Sequence, residues 1–245
     1  MVNQVDPRWN PALSRSGTDT ATYDAGLRSY MLSVYNYMLS GVLLTGMVAL
    51  GMAYTGAVNA LFNPEGGASL LGWVAMLSPL AFVFLFSFKI QSMGTSTAKG
   101  MFYIFAVLMG VSLSTIFLRY TGTSIATTFF ATAASFAGLS LYGYTTKRDL
   151  SGMGTFLIMG VVGLLVAMLL NIFIQSSALA MVISFVGVLI FAGLTAYDTQ
   201  KIKNMYDYVA GTDMMGKTAI MGALTLYLDF INMFTFLLSI LGNRE

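Results

Sequence analysis

The chain has 245 residues, of which 57% are hydrophobic and 9% are charged, against roughly 25% charged in a soluble domain. A soluble fold of this size cannot hide that much apolar area, so lipid is the natural solvent for the excess. The net charge of +2 gives no sign of nucleic-acid binding, and the absence of cysteine and histidine excludes disulfide frameworks, thiolate chemistry, imidazole zinc sites and histidine triads. No enzyme is expected from the carboxylates, lysines, hydroxyls and amides that remain.

Residues 1–28 are polar, hold Asp6, Arg8, Arg15, Asp19, Asp24 and Arg28, and read as a cytoplasmic tail ahead of a membrane domain at 29–245. The apolar run that follows exceeds the roughly 7–15 residues of a signal-peptide core, so it reads as an uncleaved first span. A hydrocarbon core about 30 Å thick takes roughly 20 apolar residues in a helix. Seven uncharged stretches meet or approach that length: Ser29–Ala57, Ser69–Phe88, Gly100–Leu118, Ser124–Tyr144, Ser151–Ile174, Ala178–Tyr197 and Thr218–Gly242. Of these, the last alone carries an ionisable acid or base inside it, Asp229. Between them lie the turn cluster Asn63-Pro64-Glu65-Gly66-Gly67, a basic connector with Lys147 and Arg148, a tight hairpin at Gln175-Ser176-Ser177, and a polar connector predicted over Asp198–Lys217. The stretches are too long for barrel strands and lack period-2 alternation, so the fold class is all-α: a polytopic bundle of seven transmembrane helices. Six spans with a re-entrant last segment is the competing count.

Charge placement orients the bundle. Under the seven-span reading the tail and the second, fourth and sixth connectors hold Arg8, Arg15, Arg28, Lys89, Lys99, Lys147, Arg148, Lys201, Lys203 and Lys217, leaving Arg119 and Arg244 for the other side. The positive-inside rule then places the N-terminus in the cytoplasm and the C-terminus outside. Small residues at Gly110 and Ser114, at Ala131, Ala134 and Gly138, and at Gly160 and Gly163 are spaced for close helix approach, or are simply the glycine and alanine common in membrane helices.

Two acids carry the candidate chemistry. Asp198 ends the sixth stretch, beside Tyr197, and Asp229 lies inside the seventh, with Thr225 and Asn232 on the same helical face. An acid in hydrocarbon is a functional candidate by default. The predicted boundaries put Asp198 at its span's end and Asp229 about 11 residues into its own, an offset of roughly 16 Å that tilt or a longer sixth helix must close. If the two meet, both cannot ionise cheaply in low dielectric, and one proton is shared between them. Protonated, such a pair ties two helices together; deprotonated, it repels itself and attracts a hard cation such as Ca²⁺, for which Asp198 and Asp229 are candidate ligands. The plainer readings are an interfacial Asp198 solvated beside Lys201, and a structural hydrogen bond at Asp229. Lys89 is either a solvated loop residue or a snorkelling partner for the acids.

These residues resemble the Bax inhibitor-1 family, the transmembrane Bax-inhibitor-motif family, in its bacterial branch. The resemblance rests on Ala196-Tyr197-Asp198-Thr199-Gln200-Lys201-Ile202, on Ala223-Leu224-Thr225-Leu226-Tyr227-Leu228-Asp229-Phe230-Ile231-Asn232, on Gly110-Val-Ser-Leu-Ser114 and on the seven-span plan. It implies a central seventh helix wrapped by six others, a di-aspartyl pH sensor at Asp198 and Asp229, and a pH-dependent calcium leak with H⁺ and Ca²⁺ as its ionic partners. It also implies an inner-membrane location in bacteria and a link to inhibition of a membrane-bound AAA protease. No cofactor is expected beyond Ca²⁺ as a permeant or bound ion. A competing enzymatic reading is an intramembrane aspartyl protease, since a Tyr-Asp in span six and an Asp in span seven are similar to the presenilin layout. Asp229 follows Leu226-Tyr227-Leu228, however, rather than that family's Gly-x-Gly setting, and its Pro-Ala-Leu segment is missing.

Overall fold

The computed structural model describes residues 11–64 and 66–243. Asp6, Arg8, Glu65 and Arg244 lie outside the described residues, as do the side chains of Arg15 and Asp19. Seven α-helices follow one another among the described residues: α1 (Pro11–Tyr54), α2 (Leu70–Lys89), α3 (Thr95–Leu113), α4 (Gly122–Thr145), α5 (Ser151–Ile174), α6 (Ser177–Val209) and α7 (Met214–Leu241). Six of them are long and apolar enough to cross a membrane. The apolar stretch of α2, Leu70–Phe86, falls short of that length. Length and composition therefore establish six candidate crossings where the sequence reading expected seven.

Local chemistry sets the turns. The α1–α2 connection holds a short 3₁₀ turn at Ala57–Leu61, then a tight return in which the amide of Gly66 donates to the Asn63 carbonyl and that of Asn63 to the Gly67 carbonyl. Gly66 and Gly67 both take the positive φ that the return requires. Ser69 then caps α2, its hydroxyl accepting from the Gly72 amide at 3.1 Å. Between α5 and α6, Gln175 turns the chain at φ 53°, and Ser176 caps α6 by accepting from the Leu179 amide at 3.2 Å. In the α4–α5 connection, the Asp149 carboxylate accepts from the Ser151 amide at 2.9 Å. Hydrogen bonds from the Ser151 side chain and backbone hold this exposed carboxyl below its ordinary value.

The largest departure from the sequence reading lies between the acids. Asp198–Lys217 is not a connector: α6 runs on to Val209, α7 begins at Met214, and only Ala210–Asp213 joins them. The segment is polar in composition but periodic, with buried Asp198, Ile202 and Tyr206 at four-residue spacing on one face. Helix α1 likewise starts inside the predicted tail. Its early turns are held against the end of α6, where the Tyr23 hydroxyl donates to the Asp207 carboxylate and the Tyr206 ring lies 5.3 Å from Tyr23 and 5.5 Å from Tyr30.

The core gathers around α7, which packs on α1, α3, α4 and α6. Half of its most apolar stretch is buried, against 11% for α5, which packs chiefly on α6. Tyr227 of α7 is fully buried between Phe102 and Phe105 of α3, and its hydroxyl meets the Thr45 hydroxyl of α1 at 2.7 Å. Thr45 in turn donates to the Ala106 carbonyl at 2.8 Å, tying three helices together. Two glycines permit close approach. A Cβ on Gly110 would lie 2.8 Å from the Thr45 carbonyl, and one on Gly143 would lie 2.2 Å from the Ala196 carbonyl. Of the other small residues, Gly160 packs on Ile190, whereas Gly138 and Gly163 face open space. Ala134 and Gly138 are exposed, so the predicted α4 ridge is not a packing surface, and α4 approaches α6 through Gly143 instead.

Candidate functional site: a buried carboxyl pair

The redrawn boundaries bring the two acids to one level. Counted from the α6–α7 turn, Asp198 lies about 11 residues, roughly 16 Å, along α6, and Asp229 about 15 residues, roughly 22 Å, along α7. The anticipated offset thus falls to about 6 Å, which brings the two carboxyl groups within interaction range of each other. Asp198 is 8% exposed and Asp229 4%. An ionised carboxylate only accepts, so a carboxyl-to-carboxyl hydrogen bond carries a proton. Asp229 Oδ2 is buried with no hydrogen-bond partner among the described residues. Lys201, three residues past Asp198, is the base whose charge reaches the pair.

A relay of hydroxyls abuts the pair. The Tyr35 hydroxyl of α1 meets Ser140 Oγ of α4 at 2.7 Å, Ser140 meets Thr199 Oγ1 of α6 at 3.0 Å, and Thr199 donates to the Thr195 carbonyl at 2.7 Å. Thr199 follows Asp198 in sequence, so α4 is hydrogen-bonded to the helix that carries one of the acids, and α1 is linked to it through Ser140.

The supporting residues expected from sequence are distributed differently. Thr225 donates to the Met221 carbonyl at 3.2 Å and the Asn232 amide to the Leu228 carbonyl at 2.8 Å, so each satisfies its own helix rather than Asp229. Tyr197 points to α5, where its ring occupies the space a Cβ on Gly154 would fill, and Lys201 Nζ lies 5.9 Å from its centroid. Lys89 does not reach the pair. It is the exposed last residue of α2, a peripheral helix that packs chiefly on α3. The sequence reading overlooked Gln200, whose carbonyl accepts from the Leu150 amide and whose amide donates to the Arg148 carbonyl, both at 2.8 Å. It also overlooked Lys203, whose ammonium donates to the Tyr144 carbonyl at 2.9 Å. Gln200 clamps the α4–α5 connection onto α6 two residues from Asp198.

A calcium ion held by the pair would need further oxygen ligands. Two carboxylates supply at most four oxygens where Ca²⁺ takes about six to eight, and among the described residues no group of three or more acids gathers. Along α7 beyond Asp229 a cavity of about 760 Å³ opens between α5, α6 and α7, with Asn232, Thr235, Ser239, Ser184 and Asn171 in its walls and Arg119 at its rim.

Fold and site together define a multi-pass helical membrane protein built around a buried pair of carboxyl groups. The family described as "Inhibitor of apoptosis-promoting Bax1" matches residues 27–245, and the chain belongs to that Bax inhibitor-1 family. It is 48% identical over 225 residues to the uncharacterized protein RP147 of Rickettsia prowazekii, covering 91% of this chain and 93% of that one. It is 46% identical over 223 residues to the inner membrane protein YbhL of Escherichia coli, covering 90% and 94%. An uncharacterized protein of Caulobacter vibrioides is 46% identical over 230 residues, covering 91% and 92%.

Proposed function

We propose that this chain is a proton-gated calcium leak of the bacterial inner membrane, crossing it seven times with α7 at the centre, its N-terminus in the cytoplasm and its C-terminus outside. The observation that carries the reading is the close approach of Asp198 and Asp229, each nearly withdrawn from solvent. With a shared proton, the pair links α6 to α7 and keeps the path shut. Loss of that proton leaves two negative charges in contact; they separate the helices and offer oxygen ligands to a passing cation. Ca²⁺ is cargo here, held in transit by too few ligands to be retained. The cavity that begins at Asn232, three residues past Asp229, supports a path toward the C-terminal end of α7. The inner-membrane relative and the crowding of basic residues into the tail and alternate connectors support location and orientation.

The test is calcium flux into proteoliposomes at a series of pH values. Flux rises with pH through the titration of the pair, and Asp229→Asn, which cannot deprotonate, removes that rise. Flux that is absent, or that keeps its pH dependence in both Asp198→Asn and Asp229→Asn, overturns the reading. A second, non-enzymatic reading is regulation of a membrane-bound AAA protease. It is favoured by the projecting end of α6, where Tyr208 is 85% exposed.

A further inference from the structure

We infer that the groove between α1 and α4 is a binding site for one anionic phospholipid, its acyl chain lying along the groove and its phosphate at Arg28. The inference rests on the membrane orientation proposed above, which places this groove in the cytoplasmic leaflet. The cavity measures about 630 Å³, within the roughly 300–1,000 Å³ of small-molecule sites. Its walls are almost wholly apolar, with Met31 and Leu39 from α1, Phe136 and Leu141 from α4, and Phe230 of α7 among the lining. Charge enters at one end only. Arg28 lines that end from α1, and Tyr144 lines it from α4 with Lys203 Nζ 5.0 Å from its ring centroid. Asp24, one turn before Arg28, is outside the lining.

An apolar slot with Arg28 at one mouth and Lys203 close behind Tyr144 matches an anionic amphiphile, and basic pockets between membrane helices are suited to anionic lipid headgroups. Because the slot lies between two membrane-crossing helices, bilayer phospholipid supplies the occupant.

The occupant also reaches the carboxyl pair. Tyr35 and Ser140 line the groove and form the first two members of the hydroxyl relay that ends at Thr199, beside Asp198. Phe230 lines it too and is the residue after Asp229. A bound acyl chain therefore touches Phe230, next to Asp229, and the two hydroxyls that lead to Thr199.

The experiment uses the full chain loaded in vesicles of equal parts phosphatidylglycerol and phosphatidylcholine, then delipidated in neutral detergent. Retained lipid is counted by mass spectrometry of the intact complex. One phosphatidylglycerol stays bound in preference to phosphatidylcholine. Arg28→Gln lowers that preference about fivefold, the worth of one base near a lipid phosphate, and Arg28→Lys keeps it. Ala137→Phe, which fills the groove, lowers retention of both lipids, while circular dichroism verifies that each variant is folded. Equal retention of the two lipids, or a preference untouched by Arg28→Gln, overturns the inference. Lipid retention needs no ion movement, so selective retention without calcium flux overturns the channel reading alone. Flux that follows pH without lipid selectivity overturns this site alone.

Discussion

Asp229 is 4% exposed, with one oxygen lacking a partner, and a proton shared with the adjacent Asp198 would explain how an acid is accommodated there. Burying an acid without a partner costs several kcal/mol, and a shared proton removes most of the charge that would carry that cost. Tyr227, two residues earlier, shows the same rule in a neutral group, since its hydroxyl is buried but meets Thr45. Tyr227→Phe is expected to destabilise the protein by only about 0.6–1 kcal/mol, because Thr45 keeps the Ala106 carbonyl as its acceptor. Thermal unfolding in a mild detergent measures this, and a loss several times larger contradicts the assignment. Asp229 was legible in the sequence as a carboxyl inside an apolar stretch, and Asp198 as the acid at the end of one. Gln200, Lys203 and Thr45 were not, because their partners are backbone carbonyls and amides or hydroxyls of distant helices, which leave no mark in local spacing.

Boundaries were legible where composition changes sharply. Helix α5 occupies Ser151–Ile174, the stretch read from sequence, because an uncharged run ends there against a positive-φ turn. Helix α6 was misjudged because its last turns leave the apolar zone while keeping a buried stripe at Ile202 and Tyr206, so polarity was taken for a loop. That stripe continues the face bearing Asp198, and its length is what brings the two acids level. Close packing between helices was legible only in part, since small residues mark where approach is allowed and not where it happens. Gly143→Ala is expected to cost about 1–3 kcal/mol, because the new methyl meets the Ala196 carbonyl rather than a movable side chain. On the same helix Gly138→Ala, where nothing lies within 4 Å, is expected to be neutral or slightly stabilising. Detergent-solubilised unfolding of the two variants side by side checks the contrast, and equal behaviour contradicts the α4–α6 contact.

Across the whole molecule, α7, which carries Asp229, is buried among α1, α3, α4 and α6. Helix α5 is buried over only 11% of its most apolar stretch, and α2 packs chiefly on α3; both are uncharged along their apolar stretches, which is why the bundle's plan, and not its packing order, could be read from composition. On the proposed reading the protonated pair joins α6 to α7, the deprotonated pair sets like charges face to face, and the bundle loosens as pH rises. The decisive measurement is an infrared pH titration of the full chain in lipid nanodiscs, following the carbonyl band of protonated carboxyl groups. The account predicts one protonated carboxyl held by the pair that is lost as pH rises, with that band change abolished by Asp229→Asn and by Asp198→Asn. A titration unaltered by either substitution, with both carboxyl groups ionised throughout, contradicts it.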